Sequence, residues 1–145
     1  MIKKRKYEPC GFKLDIKRSA AGAGLGLFAG EPIAKGDCII EYTGRIISAE
    51  EECSSRSKYL FGISSKKTID GSPRSNTARY INHCCRPNAE AEIKKGRVLI
   101  MARKNIKPGD EIRYDYGKEY WNEHIKPIGC SCLKRSCSKG LKKQS

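Results

Sequence analysis

Residues 79–88 read RYINHCCRPN, and this stretch decides how the rest of the chain is interpreted. An Asn-His pair, Asn82 and His83, runs directly into two adjacent cysteines, Cys84 and Cys85. These residue types allow three roles: a metal site, a catalytic Cys-His pair, or a turn that holds another group in place. Neighbouring residues in an extended segment point away from each other, so His83 is badly placed to take a proton from Cys84. The metal site and the turn are therefore the stronger alternatives.

The chain is long enough for one domain with a hydrophobic core, and a second large domain is not expected from 145 residues. No segment approaches the ~18 apolar residues of a membrane span, and no apolar run follows the basic N-terminus as in a secretory signal. We therefore expect a soluble, intracellular protein. In that setting the eight cysteines are expected to be reduced thiols, some of them bound to zinc.

The net charge is +14, from 30 Lys plus Arg against 16 Asp plus Glu. A charge of this size attracts polyanions, so contact with nucleic acid, or with a particle wrapped in it, is one expectation. The alternative is that the basic runs at residues 3–6 and 139–143 are solvated ends that only aid solubility. Charge alone does not decide between the two.

Most of the chain consists of short alternating or β-branched runs interrupted by Gly, Pro, Asp or Asn, which predicts many short strands. Residues 33–44 (IAKGDCIIEYTG) and 106–117 (IKPGDEIRYDYG) each place a Gly-Asp turn before a strand that ends in tyrosine and glycine. They are either two hairpin entries or two strands that deliver phenols to one place. The phenols would be Tyr42 from the first segment, and Tyr114 and Tyr116 from the second.

Helix is expected to be scarce, and the segment that most favours it runs from Ser48 to about Lys58. Ser48 is a good N-cap, and the three glutamates that follow suit the positive end of the helix dipole. This is the one helical segment that the sequence predicts.

A glycine-rich stretch, AAGAGLGLFAG, occupies residues 20–30. It either lets backbone approach a ligand closely or forms a turn between strands. It lacks the Gly-Lys-Ser/Thr of a P-loop and the acidic residue of a dinucleotide fingerprint, so neither phosphate-binding motif applies.

The tail from residue 129 carries Cys130, Cys132 and Cys137 within eight residues, with few apolar side chains around them. Such a tail cannot fold by burying a core. Three thiolates are one short of a closed tetrahedral zinc site, so a fourth ligand must come from elsewhere; otherwise the thiols are free and the tail is disordered. Cysteines in or beside core segments are expected to be packing residues. The candidate fourth ligands are Cys84, Cys85, His83 and His124, with Cys10, Cys38 and Cys53 as weaker ones.

Four motifs occur in a fixed order: GLGLFA at 24–29, EYTG at 41–44, RYINHCCRPN at 79–88 and GDEIRYDYG at 109–117. Together they closely resemble the SET-domain protein lysine methyltransferases, and the cysteine-rich tail resembles the post-SET zinc element of that family. The resemblance covers residues 13–140.

This resemblance implies a mainly β, β-rich α+β fold of several small sheets. In that fold the C-terminal segment threads under a loop as a pseudoknot and sets the Asn-His turn beside the Tyr-Asp-Tyr strand. The implied segments are a basic N-terminal segment 1–12, the SET domain 13–118, a connector 119–128 and a zinc-binding post-SET tail 129–145.

The activity implied is transfer of a methyl group from S-adenosylmethionine to the ε-amine of a lysine in a basic, histone-type protein. Tyr116 matches the catalytic tyrosine, and Tyr42 matches another phenol of the lysine channel. Tyr114 stands where the family carries Phe or Tyr, and Tyr implies mono- or dimethylation. The residues implied to contact the cofactor are Ala23, Gly24, Leu25, Tyr59, Arg79, Asn82, His83, Tyr116, Trp121 and Leu133. The ligands implied for one structural zinc are Cys85, Cys130, Cys132 and Cys137.

The alternative is a non-catalytic zinc or SET-like module that binds nucleic acid or chromatin through its basic surface. In either case the protein is expected to be nuclear or chromosomal if it is eukaryotic or a virulence effector, and cytoplasmic otherwise. No membrane partner is expected. A monomer is the default, with a homodimer as the alternative.

Overall fold

The computed structural model describes residues 7–19 and 24–116. Within them, ten short strands form three small sheets, which confirms the mainly β fold. The strands are β1 Leu14–Arg18, β2 Leu25–Ala29, β3 Cys38–Tyr42, β4 Arg45–Ser48, β5 Leu60–Gly62, β6 Lys67–Asp70, β7 Asn82–His83, β8 Ala89–Lys94, β9 Arg97–Ala102 and β10 Glu111–Tyr114. Helical structure in these residues is limited to α1 Ala49–Ser54 and a 3-10 helix Thr77–Tyr80. None of these helices is long and apolar enough to cross a membrane.

The first sheet has the order β1-β2-β10-β7 and joins the two ends of the described chain. Strand β10 runs antiparallel to β2 and parallel to β7, where Arg113 is opposite Asn82 and Tyr114 is opposite His83. The expected placement of the Asn-His turn beside the Tyr-Asp-Tyr strand is therefore confirmed. The other two sheets have the orders β3-β9-β8 and β4-β6-β5.

The hydrophobic core is densest along β9, whose residues from Val98 to Ala102 are all buried. This strand lies between β3 and β8, so both of its edges are paired, and its run of apolar side chains is covered on both faces. Each fully buried Val, Leu or Ile contributes about 1.5–3 kcal/mol to the stability of the fold. The sheets are thereby held as one body around the core.

The two Gly-Asp segments adopt the same turn. Gly36 and Gly109 have φ angles of +91° and +92°, a left-handed conformation that side chains rarely adopt. In each turn the aspartate carboxylate accepts a backbone N–H three residues earlier: Asp37 at 3.2 Å and Asp110 at 3.0 Å. Paired backbone hydrogen bonds between Ile33 and Ile106, of 2.9 and 2.8 Å, join the two segments just before the turns.

Helix α1 is shorter than the predicted helix, which extended to about Lys58. Ser48 is the N-cap and forms a capping box with Glu51, as the sequence indicated. The helix ends at Ser54 because serine hydroxyls capture the backbone that follows: Ser55 Oγ accepts from the Ser57 N–H and Ser57 Oγ accepts from the Tyr59 N–H. Such local bonds compete with the helical ones.

Four of the five cysteines in the described residues are either fully buried or exposed. Cys38 and Cys84 are buried, as expected for packing residues, and burial raises the pKa of the Cys38 thiol to about 11. Cys10 and Cys53 are exposed, so the expectation that they pack in the core was wrong. Cys53 lies on α1, a helix with no buried residue, and Cys10 precedes the first strand.

Candidate active site

The three tyrosines predicted to converge do converge. Tyr42 at the end of β3, Tyr114 at the end of β10 and Tyr116 just beyond it line one narrow cavity of about 50 Å³. Phe61 of β5 and Arg79 of the 3-10 helix line it as well. A narrow, phenol-lined slot of this kind suits a slender side chain better than a bulky ligand.

Two of the phenols are fixed by backbone carbonyls. The Tyr42 hydroxyl donates to the carbonyl of Tyr59 at 2.7 Å, and the Tyr116 hydroxyl donates to the carbonyl of Ile81. A phenol has one proton, so each oxygen that donates it in this way acts toward a ligand as an acceptor. The rings of Tyr114 and Tyr116 lie 5.0 Å apart, and the ring of Tyr42 lies 5.5 Å from that of Phe61.

The position of Tyr42 depends on a buried residue that the sequence analysis missed. Asn76 is 1% exposed; its Oδ1 accepts from the Thr43 N–H at 3.0 Å, and its Nδ2 donates to the Gly71 carbonyl at 3.0 Å. The Gly71 N–H in turn donates to the Tyr59 carbonyl, the same oxygen that holds the Tyr42 hydroxyl. The only sequence signal was an asparagine and a glycine in a loop, which a simple turn would also explain.

Gly71 is required for this packing. A Cβ atom at that position would lie 2.5 Å from Cε1 of Tyr42 and 2.6 Å from Nδ2 of Asn76. Real carbon atoms do not approach so closely, so any side chain here would displace the Tyr42 ring or Asn76.

His83 is buried and faces the Tyr116 segment. Its Nδ1 accepts from the Tyr116 N–H at 3.1 Å, and its ring lies edge-on to that of Tyr116, with 5.4 Å between centroids. Asp115 has a carboxylate oxygen 3.7 Å from the same nitrogen, but an Nδ1 that accepts an N–H carries no proton, so the hydrogen bond and not an ion pair defines this contact. In this geometry His83 holds the end of β10 in place.

Arg79 is the strongest sign of a ligand in the described residues. Its guanidinium lies over the Tyr59 ring, 4.4 Å from the centroid, and near Tyr80 at 5.3 Å. Its Nε is buried and has no hydrogen-bond partner within residues 7–19 and 24–116. Buried donors are nearly always satisfied, so this N–H is suited to an acceptor on a bound molecule.

Gly24, Leu25 and Asn82, three further residues predicted to contact the cofactor, lie on or next to the first sheet. Leu25 is half exposed, and Gly24 has a φ of +80°, which only glycine adopts freely. The Asn82 amide donates to the Leu25 carbonyl at 3.0 Å. Ala23, Trp121 and Leu133 lie outside the described residues.

Of the predicted zinc ligands, only Cys85 is described. It is half-buried, and its Sγ is 3.5 Å from Nε2 of His83. The described residues contain no group of three or more His, Cys, Asp or Glu that could hold a metal ion. Cys130, Cys132 and Cys137, and the alternative ligand His124, lie outside the described residues, so the zinc site stays a prediction.

Several histone-lysine N-methyltransferases are similar to this chain in sequence. Histone-lysine N-methyltransferase trr of Drosophila melanogaster is 36% identical over 130 residues, which cover 81% of this chain and 5% of that protein. Histone-lysine N-methyltransferase set-2 of Caenorhabditis elegans is 37% identical over 127 residues, which cover 79% of this chain and 8% of that protein. Histone-lysine N-methyltransferase ASHH1 of Arabidopsis thaliana is 31% identical over 149 aligned positions, which cover 94% of this chain and 30% of that protein. The chain thus spans 5% to 30% of the length of these three relatives.

Residues 24–117 match the sequence profile of the SET domain. That range contains every described strand except β1, together with the phenol-lined cavity and the Asn-His turn. The chain belongs to the SET-domain family.

Proposed function

We propose that the chain is a protein-lysine N-methyltransferase that takes a methyl group from S-adenosylmethionine and transfers it to the ε-amine of a lysine in a basic, histone-type protein. The observation that carries the proposal is the narrow cavity lined by Tyr42, Tyr114 and Tyr116. The relatives named histone-lysine N-methyltransferases support the histone-type substrate.

The cavity is suited to the chemistry of a lysine amine. A free lysine has a pKa of ~10.4, and an amine must lose a proton before it can act as a nucleophile. Entry into a narrow cavity lowers that pKa because desolvation disfavours the charged form, and Lys58 and Arg79, which also line the cavity, act in the same direction. The Tyr42 and Tyr116 hydroxyls donate their protons to backbone carbonyls, so their oxygen lone pairs are left to accept from the N–H groups of the neutral amine and to orient it. Orientation is the main contribution that this reaction needs from the protein.

The residues around Arg79 fit S-adenosylmethionine. The buried Arg79 Nε offers a donor to an acidic or polar group, and the Asn82 side chain is half-buried beside Leu25. When bound, the cofactor supplies a methyl group activated on a positively charged sulfur. We assign the contacts with S-adenosylmethionine to the ten residues that the family resemblance implies: Ala23, Gly24, Leu25, Tyr59, Arg79, Asn82, His83, Tyr116, Trp121 and Leu133.

The size of the cavity supports a low degree of methylation. The two rings of Tyr114 and Tyr116 pack at 5.0 Å, and Tyr114 is 6% exposed, so it is held in place by the core. A volume of about 50 Å³ leaves little room for added methyl groups on the amine. We therefore propose mono- or dimethylation.

The rest of the proposal concerns the segments beyond the described sheets. We propose that residues 129–145 form a post-SET tail held by one zinc ion on Cys85, Cys130, Cys132 and Cys137, joined through a connector at 119–128 to a SET domain at 13–118. A nuclear location in a eukaryotic source follows from a histone substrate. The net charge of +14 supports contact with nucleosomal DNA, and we propose a monomer.

The test is transfer of a labelled methyl group from S-adenosylmethionine to core histones and to basic peptides, read by mass spectrometry of the product. We expect a mass increase of one or two methyl groups on lysine, and none on peptides in which that lysine is replaced by arginine. Protein that binds the cofactor by calorimetry but methylates no lysine would contradict the proposal. Salt-sensitive nucleic-acid binding without cofactor binding would favour the non-catalytic alternative.

A further inference from the structure

Ser19, which directly precedes the glycine-rich segment, contacts Gly24 within that segment. The Ser19 N–H donates to the Gly24 carbonyl at 2.7 Å, which closes the chain between the end of β1 and the start of β2. Ser19 is 3% exposed, although it is a polar residue at the edge of a sheet. A buried serine hydroxyl needs a hydrogen-bond partner, and the partner of Ser19 shows which residue fixes the start of the glycine-rich segment.

The partner is the carboxylate of Glu111 on β10. Its Oε1 accepts from Ser19 Oγ at 2.9 Å and from Nη2 of Arg113 at 2.7 Å, and its Oε2 accepts from Nδ2 of Asn82 at 2.9 Å. The side chains of Glu111 and Arg113 are only 9% and 14% exposed. Burial of a carboxylate is costly unless it is paired and hydrogen-bonded, and here three donors satisfy it.

This arrangement also fixes the orientation of Asn82. Its amide has two N–H groups, and they point to two acceptors: the Leu25 carbonyl at 3.0 Å and Glu111 Oε2 at 2.9 Å. The side-chain oxygen of Asn82 is then the atom that can turn to a bound molecule. Gly26 makes the arrangement possible, because a Cβ there would lie 2.5 Å from Glu111 Oε2.

We propose that Glu111 is a positioning residue of the cofactor pocket. Its carboxylate ties the base of the glycine-rich segment, through Ser19, to the amide of Asn82, and thereby sets two sides of the pocket relative to each other. The inference rests on the proposed function, since it assumes that S-adenosylmethionine binds between these elements. Glu111 acts through Ser19 and Asn82 and has no assigned contact with the reacting atoms.

The experiment is calorimetric titration of S-adenosylmethionine into Glu111→Gln and the wild-type protein. Glutamine has nearly the same shape, but it loses the charge and turns an N–H group either toward the Arg113 guanidinium or toward the Asn82 amide N–H, both of which donate to Glu111 in the wild type. We expect the Kd to rise about tenfold, the effect of one lost hydrogen bond to a charged group. We also expect kcat at saturating cofactor to change by less than about threefold, because the lysine channel is untouched.

The matched control is Glu41→Gln. Glu41 is also a strand glutamate paired to an arginine, at 2.8 Å from Arg97, but it lies in the sheet β3-β9-β8. Its replacement should leave the cofactor Kd at the wild-type value. Ser19→Ala is a milder change to the same network: it removes the hydrogen bond from Ser19 Oγ to Glu111 and a longer one of 3.4 Å from Arg113 Nη2 to Ser19 Oγ, and we expect its Kd to rise about threefold.

The outcomes separate this inference from the proposed function. Wild-type protein that binds no S-adenosylmethionine would refute both. If the wild type binds and Glu111→Gln binds equally well, only the positioning role is overturned, and a lowered melting temperature at unchanged Kd would assign Glu111 to the fold alone. If Glu111→Gln does not fold, Ser19→Ala decides, and an unchanged Kd for that variant overturns the role.

Discussion

The lysine-channel side of the site and its cofactor side are held by different kinds of hydrogen bond. Around Tyr42, neutral donors meet backbone carbonyls: the phenol and the Gly71 N–H share the Tyr59 carbonyl, and Asn76 bridges Thr43 and Gly71. Around Asn82, a buried carboxylate gathers three donors. A neutral hydrogen bond contributes about 0.5–1.5 kcal/mol and one to a charged group about 1.5–3 kcal/mol.

The difference predicts which measurement each side controls. The channel side positions the phenols that contact the substrate lysine. Substitutions of the residues that position these phenols should therefore lower kcat and leave the cofactor affinity unchanged. The cofactor side positions Asn82 and the glycine-rich segment, so lesions there should weaken cofactor binding. A variant that moves both quantities equally would show that the two sides act as one unit.

The largest effect is expected from Tyr116→Phe. The ring remains packed against His83 and Tyr114, but the oxygen that is fixed by the Ile81 carbonyl is lost. We expect kcat to fall about 100-fold or more, the range found when one preorganised polar group is removed from an active site, with a smaller change in the cofactor Kd because the Tyr116 ring stays in place. Tyr7→Phe removes a phenol that packs at Cys38, Leu99 and Met101, and serves as the control. A rate within threefold of wild type for Tyr116→Phe would remove Tyr116 from the mechanism.

The sequence alone predicted the parts of this site that depend on order and pattern. The motif order predicted the family, and the two Gly-Asp segments gave the meeting of Tyr42, Tyr114 and Tyr116 as one of two alternatives. The β-branched runs predicted short strands, because period and turn residues are local signals. The helix was correctly started at Ser48 for the same reason, and its end was missed because serine side chains downstream compete for the backbone.

The residues that hold the site could not be predicted in this way. Ser19 and Glu111 are separated by 92 positions, and Thr43 and Asn76 by 33. A serine before a glycine-rich stretch or an asparagine in a loop is ordinary in any turn. Their roles depend on which side chains the fold brings together, and a single sequence contains no local signal for that.

A middle-sized effect on the channel side is expected from Gly71→Ala. The added Cβ would meet Tyr42 and Asn76 at 2.5–2.6 Å, so the ring must move, and overpacking of this kind costs about 1–3 kcal/mol. We expect a lower melting temperature, and a lower kcat for the folded protein at unchanged cofactor Kd. Gly62→Ala is the matched control, since a Cβ at Gly62, in β5 of the adjoining sheet, meets nothing within 4 Å. Equal effects of the two substitutions would contradict the role of Gly71 in placing Tyr42.

The smallest effect concerns Asp70, a charged residue that directly precedes Gly71. Burial tends to raise the pKa of its carboxyl, but hydrogen bonds from Ser72 and Ser57 outweigh this, and the pKa is lowered from the usual 3.8. A carboxyl with a lowered folded-state pKa stabilises the fold above its unfolded pKa, and this contribution is lost as the pH falls through the folded value.

In melts from pH 7 down to pH 3, Asp70→Asn should therefore be slightly less stable than wild type at pH 7 and approach it at the acidic end. Glu90→Gln, at an exposed position of β8, should keep the wild-type profile. If the stability curves of Asp70→Asn and wild type converge at acidic pH and kcat at pH 7 is unchanged, neutral hydrogen bonds set the channel side of the site. A loss of kcat in Asp70→Asn would instead show that charge contributes to both sides of the site.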